Sequence, residues 1–368
     1  MARFGPFCGV RRLVTFSLAL AVCAPAVARG QNVCEGRIAF VSTRDGARGI
    51  FRVNADGSQL TRLTADSGDA QPVWSPDGSR IAFIAGRAAD RGVLDRFSLP
   101  MHRMPYVMDA DGGNVRRLTD MPAATVRWSP NGTRIGFQSS AEDEANRGVE
   151  SAVSSAIYVI DSDGRRQRRL TEFTYRNAFA SWSPDGRRIA FGSDRDGNWE
   201  LYVVDVSTGR EERLTQSPGA ERYPIWSPDG EHLAFTGSDW VAPGSTQTVP
   251  SNIYRIDLQS RAPRRLTHLA ANEIPRAWSP DGGQILVVSE DLFLVDHETG
   301  RLTRLTATPD KRELGSAFLP GAPKVAFRSD TEGNWEIYVV GMDGTGLVNI
   351  TRDPADDVLM SVGSCPRR

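Results

Sequence analysis

Short apolar triplets recur along the chain, each set off by turn-forming residues. They are Ile38-Ala39-Phe40, Ile81-Ala82-Phe83, Ile135-Gly136-Phe137, Ile189-Ala190-Phe191, Leu233-Ala234-Phe235, Ile285-Leu286-Val287 and Val325-Ala326-Phe327. All but the first begin seven residues after an aromatic: Trp74, Trp128, Trp182, Trp226, Trp278 and Phe318. The five tryptophans open the string Trp-Ser-Pro-Asp/Asn-Gly, and Phe318-Leu319-Pro320-Gly321 is a degenerate copy. An aromatic within a β-branched run follows each triplet: Phe51, Tyr106, Tyr158, Tyr202, Tyr254, Phe293 and Tyr338. Each unit closes at Leu-Thr, from Leu63 to Leu305, with Ile350-Thr351 as the variant.

This pattern predicts four short strands per unit: A ending at Trp, B at the triplet, C at the aromatic run and D at Arg-Leu-Thr. Ser-Pro-Asp-Gly between A and B is turn chemistry, since Pro presets φ, Asp caps its own turn and Gly takes positive φ. Asp-x-Asp-Gly between C and D repeats that chemistry, as at Asp109–Gly112 and Asp161–Gly164. Four-stranded sheets at a period of roughly 40–50 residues predict an all-β, seven-bladed β-propeller of antiparallel blades. One such sheet cannot bury both faces alone, so its neighbours must cover it.

Trp-Ser-Pro-Asp-Gly-x-x-Ile-Ala-Phe resembles the WD40-like propeller repeats of the TolB family, across almost the whole chain after residue 36. The resemblance implies a propeller and a role in the cell envelope. It departs from that family's pattern in two respects. Only Arg29 to Gly36 precede the first strand after the expected leader, where an α/β domain would stand, and seven B strands are found where the family has six blades. A propeller-only relative is expected.

The first unit lacks strand A. Counting from Thr351 at the spacing of the intact units reaches Val362, so residues 357–362 are expected to complete blade 1 from the C-terminus. That alignment puts Cys34 and Cys365 in the same turn slot, where a disulfide would replace the missing A–B turn. Such a bridge closes a loop of about 330 residues and contributes on the order of 5 kcal/mol in the chain-entropy treatment.

Composition adds the compartment. Arg3, Arg11 and Arg12 precede the apolar run Leu13–Val22, and Ala26-Val27-Ala28 fits a small-x-small cleavage site. Residues 1–28 therefore read as a signal peptide and 29–368 as one propeller domain. Leu20-Ala21-Val22-Cys23 offers lipid anchoring at Cys23 as a rival reading. Either way the chain works outside the cytoplasm, periplasmic or secreted. The formal net charge of −1 excludes a strongly basic nucleic-acid binder, and no apolar run reaches the roughly 18 residues of a membrane span.

Two sets of residues stand out as candidate binding groups. B–C offsets are long in blade 2 (Phe83 to Tyr106), blade 3 (Phe137 to Tyr158) and blade 5 (Phe235 to Tyr254), against Phe40 to Phe51 in blade 1. Loops inserted on a rigid scaffold commonly carry recognition. Here they hold Arg96, Phe97, His102 and Arg103 in blade 2 and Trp240 in blade 5. Five residues before each Trp slot stand Asp69, Ala123, Asn177, Glu221, Glu273, Glu313 and Asp357. They are expected near the channel mouth, as an acidic ring with room for a cation or a basic peptide, or as solvated turn residues. Arg127 and Arg276 are expected to offset part of that charge.

The motif tryptophans, and Trp199 and Trp335 in the matched Gly-Asn-Trp-Glu strings, read as packing residues. The Asp-x-Asp-Gly turns lack a twelve-residue calcium loop. His102, His232, His268 and His297 fall in different blades, so no metal centre and no other cofactor is implied. No nucleophile elbow, zinc motif or phosphate loop occurs. The expected function is a monomeric, non-catalytic scaffold for an envelope or secreted protein or peptide. The alternative is a propeller lyase or hydrolase acting on extracellular polysaccharide or peptide, with Glu221 and Glu273 as acid and base.

Overall fold

Each Ser-Pro-Asp-Gly string folds as the tight turn its residues dictate. In the first copy the Ser75 hydroxyl donates to Asp77 Oδ1 (2.6 Å), the Ser79 N–H donates to the same oxygen (3.0 Å), and Gly78 takes φ +67°. These turns join A to B in a computed structural model that describes residues 36–87, 103–140, 154–238, 250–308 and 310–365.

The described residues form seven four-stranded antiparallel sheets. Blade 1 holds β1 (Arg37–Ser42), β2 (Gly49–Asn54) and β3 (Thr61–Arg62). Blade 2 runs β4 (Ala70–Trp74), β5 (Arg80–Ala85), β6 (Met104–Asp109), β7 (Arg116–Arg117). Blade 3 runs β8 (Thr125–Trp128), β9 (Arg134–Ser139), β10 (Ala156–Asp161), β11 (Arg168–Arg169). Blade 4 runs β12 (Asn177–Trp182), β13 (Arg188–Ser193), β14 (Glu200–Asp205), β15 (Glu211–Arg213). Blade 5 runs β16 (Ala220–Trp226), β17 (His232–Ser238), β18 (Asn252–Asp257), β19 (Pro263–Arg265). Blade 6 runs β20 (Ile274–Trp278), β21 (Gln284–Val288), β22 (Leu292–Asp296), β23 (Leu302–Arg304). Blade 7 runs β24 (Glu313–Phe318), β25 (Lys324–Ser329), β26 (Glu336–Gly341), β27 (Val348–Asn349).

The last strand, β28 (Asp357–Gly363), pairs antiparallel with β1 and supplies blade 1's missing strand A. Its register is the one the repeat predicts. Val362 lies opposite Ile38, as Trp74 lies opposite Ile81 and Trp128 opposite Ile135. A bulge repeats as well. Gln71, Tyr223, Gly315 and Leu359, each three residues before the Trp slot, all have positive φ, and the A–B register shifts there. An extra residue at such a bulge bends the strand and re-aims its side chains.

Two contacts explain the sequence pattern. Within a blade, the triplet aromatic stacks on the C-strand aromatic: Phe83 on Tyr106 at 5.5 Å, Phe137 on Tyr158 at 5.3 Å, Phe327 on Tyr338 at 5.7 Å between centroids. Such cross-strand pairs stabilise the sheet by a few tenths to about 1 kcal/mol each. Between blades, four of the five motif Trp indole N–H groups donate to the carbonyl before the previous blade's Trp slot, whereas that of Trp74 is buried without an acceptor among the described residues. Trp128 reaches Val73 (3.0 Å), Trp182 reaches Arg127 (3.2 Å), Trp226 reaches Ser181 (3.2 Å) and Trp278 reaches Ile225 (3.2 Å). Guanidiniums of the preceding blade cover the same rings, with Arg37 on Trp74 at 4.4 Å, Arg80 on Trp128 at 4.8 Å and Arg188 on Trp226 at 4.6 Å. The core accordingly lies between neighbouring blades: Ala39, Val41 and Ile50 of blade 1 pack with Trp74, Ile81 and Phe83 of blade 2. Among the described residues no helix is long and apolar enough to cross a membrane.

Candidate functional site

The Leu-Thr that ends each unit turns the chain from D back to A, and its threonine organises the corner. Thr267 accepts the Ile253 N–H (2.9 Å) and donates to Glu273. Thr306 accepts the Leu292 N–H (2.9 Å) and donates to Glu313 (2.5 Å). The B–C connection ends on the same face, shown by Glu273 N–H to Ser251 (2.9 Å) and Glu221 N–H to Trp199 (2.8 Å).

The residues expected as a channel-mouth acidic ring sit inside these corners. Asp69, Asn177, Glu221, Glu273, Glu313 and Asp357 are all buried, as is Ala123 in the seventh position. Asp69 is held by Arg87 through two bonds (3.0 and 2.8 Å), and Asp357 by Arg44 (2.5 Å). Asn177 donates to the Ser155 (2.8 Å) and Glu172 (2.7 Å) carbonyls and accepts from Arg195 (3.1 Å). Glu313 also accepts from Thr308 (2.7 Å), and Glu273 from Asn252 (2.9 Å). They are neither solvated turn residues nor an open ring of charge. Burial raises the pKa of Asp69, Glu313 and Asp357.

Glu221 departs furthest. Burial, with the neighbouring Glu200 opposing a second negative charge, pushes its carboxyl up to about 8. Burial raises Glu200 too, but bonds from the Thr215 hydroxyl (2.6 Å) and the Ser217 N–H (2.9 Å) hold it below its ordinary value. The two carboxyls thus divide into one protonated and one ionised group near neutrality. Glu221 borders a cavity of about 400 Å³ in blade 5, with Ser217, Phe235, Tyr254 and Arg261.

A larger cavity, about 550 Å³, lies against the inner strands of blades 3 to 7 and is the central channel. Arg127, Gln138, Ser181, Tyr223, Arg276 and Ser316 are among its lining residues, and among the described residues none that lines it is acidic. Arg127 and Arg276 are reached by solvent within the channel yet enclosed by protein. Loss of bulk water lowers the pKa of both guanidiniums, and the charge of Arg276 lowers Arg127 further. The channel is therefore cationic, opposite in sign to the expected acidic mouth. The signal was present in the sequence. Arg127 and Arg276 are the only charged residues in the two slots before the Trp position, where other blades place Val73, Ser181, Ala180 or Pro224.

Of the loop residues singled out, Arg103 alone is described; half-buried, it bridges Ala123 at the start of β6. Arg96, Phe97, His102, Trp240 and Cys34 lie outside the described residues. Trp199 is sandwiched between Arg176 (5.2 Å) and Arg222 (5.0 Å), and Trp335 between Arg312 and Arg328 (4.9 Å each). Asn198 and Asn334 beside them donate to the next corner's carbonyls (Ser217, 2.8 Å; Asp353, 2.8 Å), so both Gly-Asn-Trp-Glu strings brace corners. Two histidines read as separate meet across a blade boundary: His232 and His297 lie 5.8 Å apart, beside Trp278. Asp229, Glu231 and His232 bring ligand atoms within 4.8 Å of one another, with both acids exposed on a turn.

The TolB beta propeller domain family matches residues 101–243. A protein TolB homolog of Chlorobium luteolum is 29% identical over 169 residues, covering 46% of this chain and 34% of that protein. The match thus spans about a third of that relative's length. TolB from Acinetobacter baumannii is similar in structure, with TM-score 0.50 and 17% identity over 89% of this chain and 67% of that one. An oligogalacturonate lyase from Vibrio parahaemolyticus has TM-score 0.62 and 13% identity over 83% of this chain and 86% of that one. At these identities the structural likenesses speak to the fold alone. The repeat, the seven closed blades and these matches agree: the chain is a TolB-like β-propeller.

Proposed function

We propose that this chain is an exported, non-catalytic scaffold that docks a protein or peptide partner of the cell envelope on the face where its long B–C connections leave. One observation carries the reading: the carboxylates best placed to serve as acid and base are committed to the blades' own corners. Glu273 and Glu313 spend their oxygens on threonine hydroxyls and Asn252, and Asp69 on Arg87. A periplasmic or secreted location accords with the likeness to TolB proteins and with the expected leader at residues 1–28. Cys365 is held in a disulfide, which supports a Cys34–Cys365 bridge and an oxidising compartment.

A second reading has one observation in its favour. Glu221, protonated near neutrality beside the 400 Å³ cavity, has the character of a general acid. A panel of acidic and neutral polysaccharides and peptides, assayed with and without divalent metal, separates the two. The scaffold reading expects no turnover by the wild-type chain. Turnover abolished in E221Q would replace it with the enzymatic one.

A further inference from the structure

The central channel holds two cations that the fold does not need. Arg127 stands one residue before Trp128, and Arg276 two before Trp278; in other blades these slots take Val73 and Ile225, or Ala180 and Ser316, with the same blade geometry. Among the described residues neither guanidinium has a carboxylate partner: Arg127 donates to the adjacent Val126 carbonyl (2.9 Å), and Arg276 makes no side-chain hydrogen bond. The Nε atoms of Arg222 and Arg328, whose guanidiniums cover Trp199 and Trp335, are buried without acceptors among the described residues, and the Arg328 pKa is lowered by burial and then by the charge of Arg276. Several like charges enclosed together without counter-charge destabilise a fold.

We propose that the channel is a binding site for a small organic anion bearing at least two carboxylates, clamped by Arg127 and Arg276. Each guanidinium offers a planar fork of N–H donors matched to a carboxylate. The cavity, about 550 Å³, is of small-molecule size. Hydroxyl-bearing Thr125, Ser181, Tyr223 and Ser316 and the amide of Gln138 line the same space and suit a hydroxylated acid. The absence of acidic residues among the described lining residues disfavours a cation or a basic peptide. This site is independent of partner docking on the loop face, so either can fail without the other.

Calorimetric titration of the full-length exported protein with citrate, inorganic phosphate and neutral trehalose, at low salt and pH 7, tests the assignment. Citrate is expected to bind, more weakly as salt rises, and at least about tenfold more weakly to R127Q/R276Q. The exposed-site variant R165Q is expected to bind as wild type does. Without ligand, R127Q is expected to melt above the wild type, because an enclosed like charge has gone. Four results would overturn the proposal: no citrate binding by the wild type, unchanged affinity in the double variant, trehalose binding as tightly as citrate, or phosphate binding more tightly than citrate. Failure of the arginine variants to fold would also overturn it, by making both side chains structural.

Discussion

Thr267 shows how a two-residue signature becomes a structural rule. Its hydroxyl joins the N–H of Ile253 on strand C to the carboxylate of Glu273 just before the next strand A, all within buried surroundings. T267V keeps the shape and deletes both bonds, leaving a buried donor and a buried carboxylate oxygen short of partners. It is expected to cost about 2–3 kcal/mol in urea unfolding, with the sheet content unchanged by circular dichroism. Glu221 gives a prediction of opposite character. Its folded pKa, about 8, lies above the ordinary carboxyl value of 4.5, so the folded chain holds a proton the unfolded chain releases. Stability from this group is fully present below about pH 4.5 and is lost as pH rises through 8. Glu200, whose pKa is lowered, acts on the acid side of that window and does not cancel the trend. Wild-type stability is expected to fall from pH 5 to pH 8, and E221Q to flatten that fall; equal slopes for the two proteins would show that Glu221 is not the group responsible. The threonine–acid pairing was legible in principle, since Thr64/Asp69, Thr306/Glu313 and Thr351/Asp357 recur together. Reading the acids as solvent-facing failed because their spacing shows where the chain turns, not where a side chain on the turn points.

Strands and their pairing were the most legible level. The repeat placed every B and C strand, and even the register of β28, because Val362 and Leu359 occupy the slots that hold Trp74 and Gln71 in β4. Less legible was the lining of the channel. In β20 the register shift falls at Arg276 itself, whereas β8 pairs without one, so the shared facing of Arg127 and Arg276, one and two residues before their Trp, does not follow from simple strand periodicity. β28 makes blade 1 depend on two chain segments distant in sequence. Removing residues 357–368 bares the edge of β1 and is expected to abolish the single cooperative melt seen by calorimetry. C365S keeps the strand but loses the proposed bridge, and is expected to lose on the order of 5 kcal/mol, as is the wild type under reductant. A reductant-insensitive melt would remove the bridge from the account.

At the scale of the whole molecule, the ring presents two unlike faces. One carries the tight Ser-Pro-Asp-Gly turns; the other carries the threonine–acid corners and the three long B–C connections. A rigid scaffold with variable connections on one face fits recognition better than chemistry, and the anion site proposed for its cationic channel would be a second, separate role. Site-specific photo-cross-linking in the producing cell tests the docking claim most directly. A photoreactive residue is placed at exposed Ala270, on the corner between blades 5 and 6, and another at exposed Arg187, on the A–B turn of blade 4. The account predicts a discrete adduct with one envelope protein from position 270, lost when residues 88–102 are shortened, and none from position 187. No adduct from position 270, or the same adduct from both positions, would contradict it.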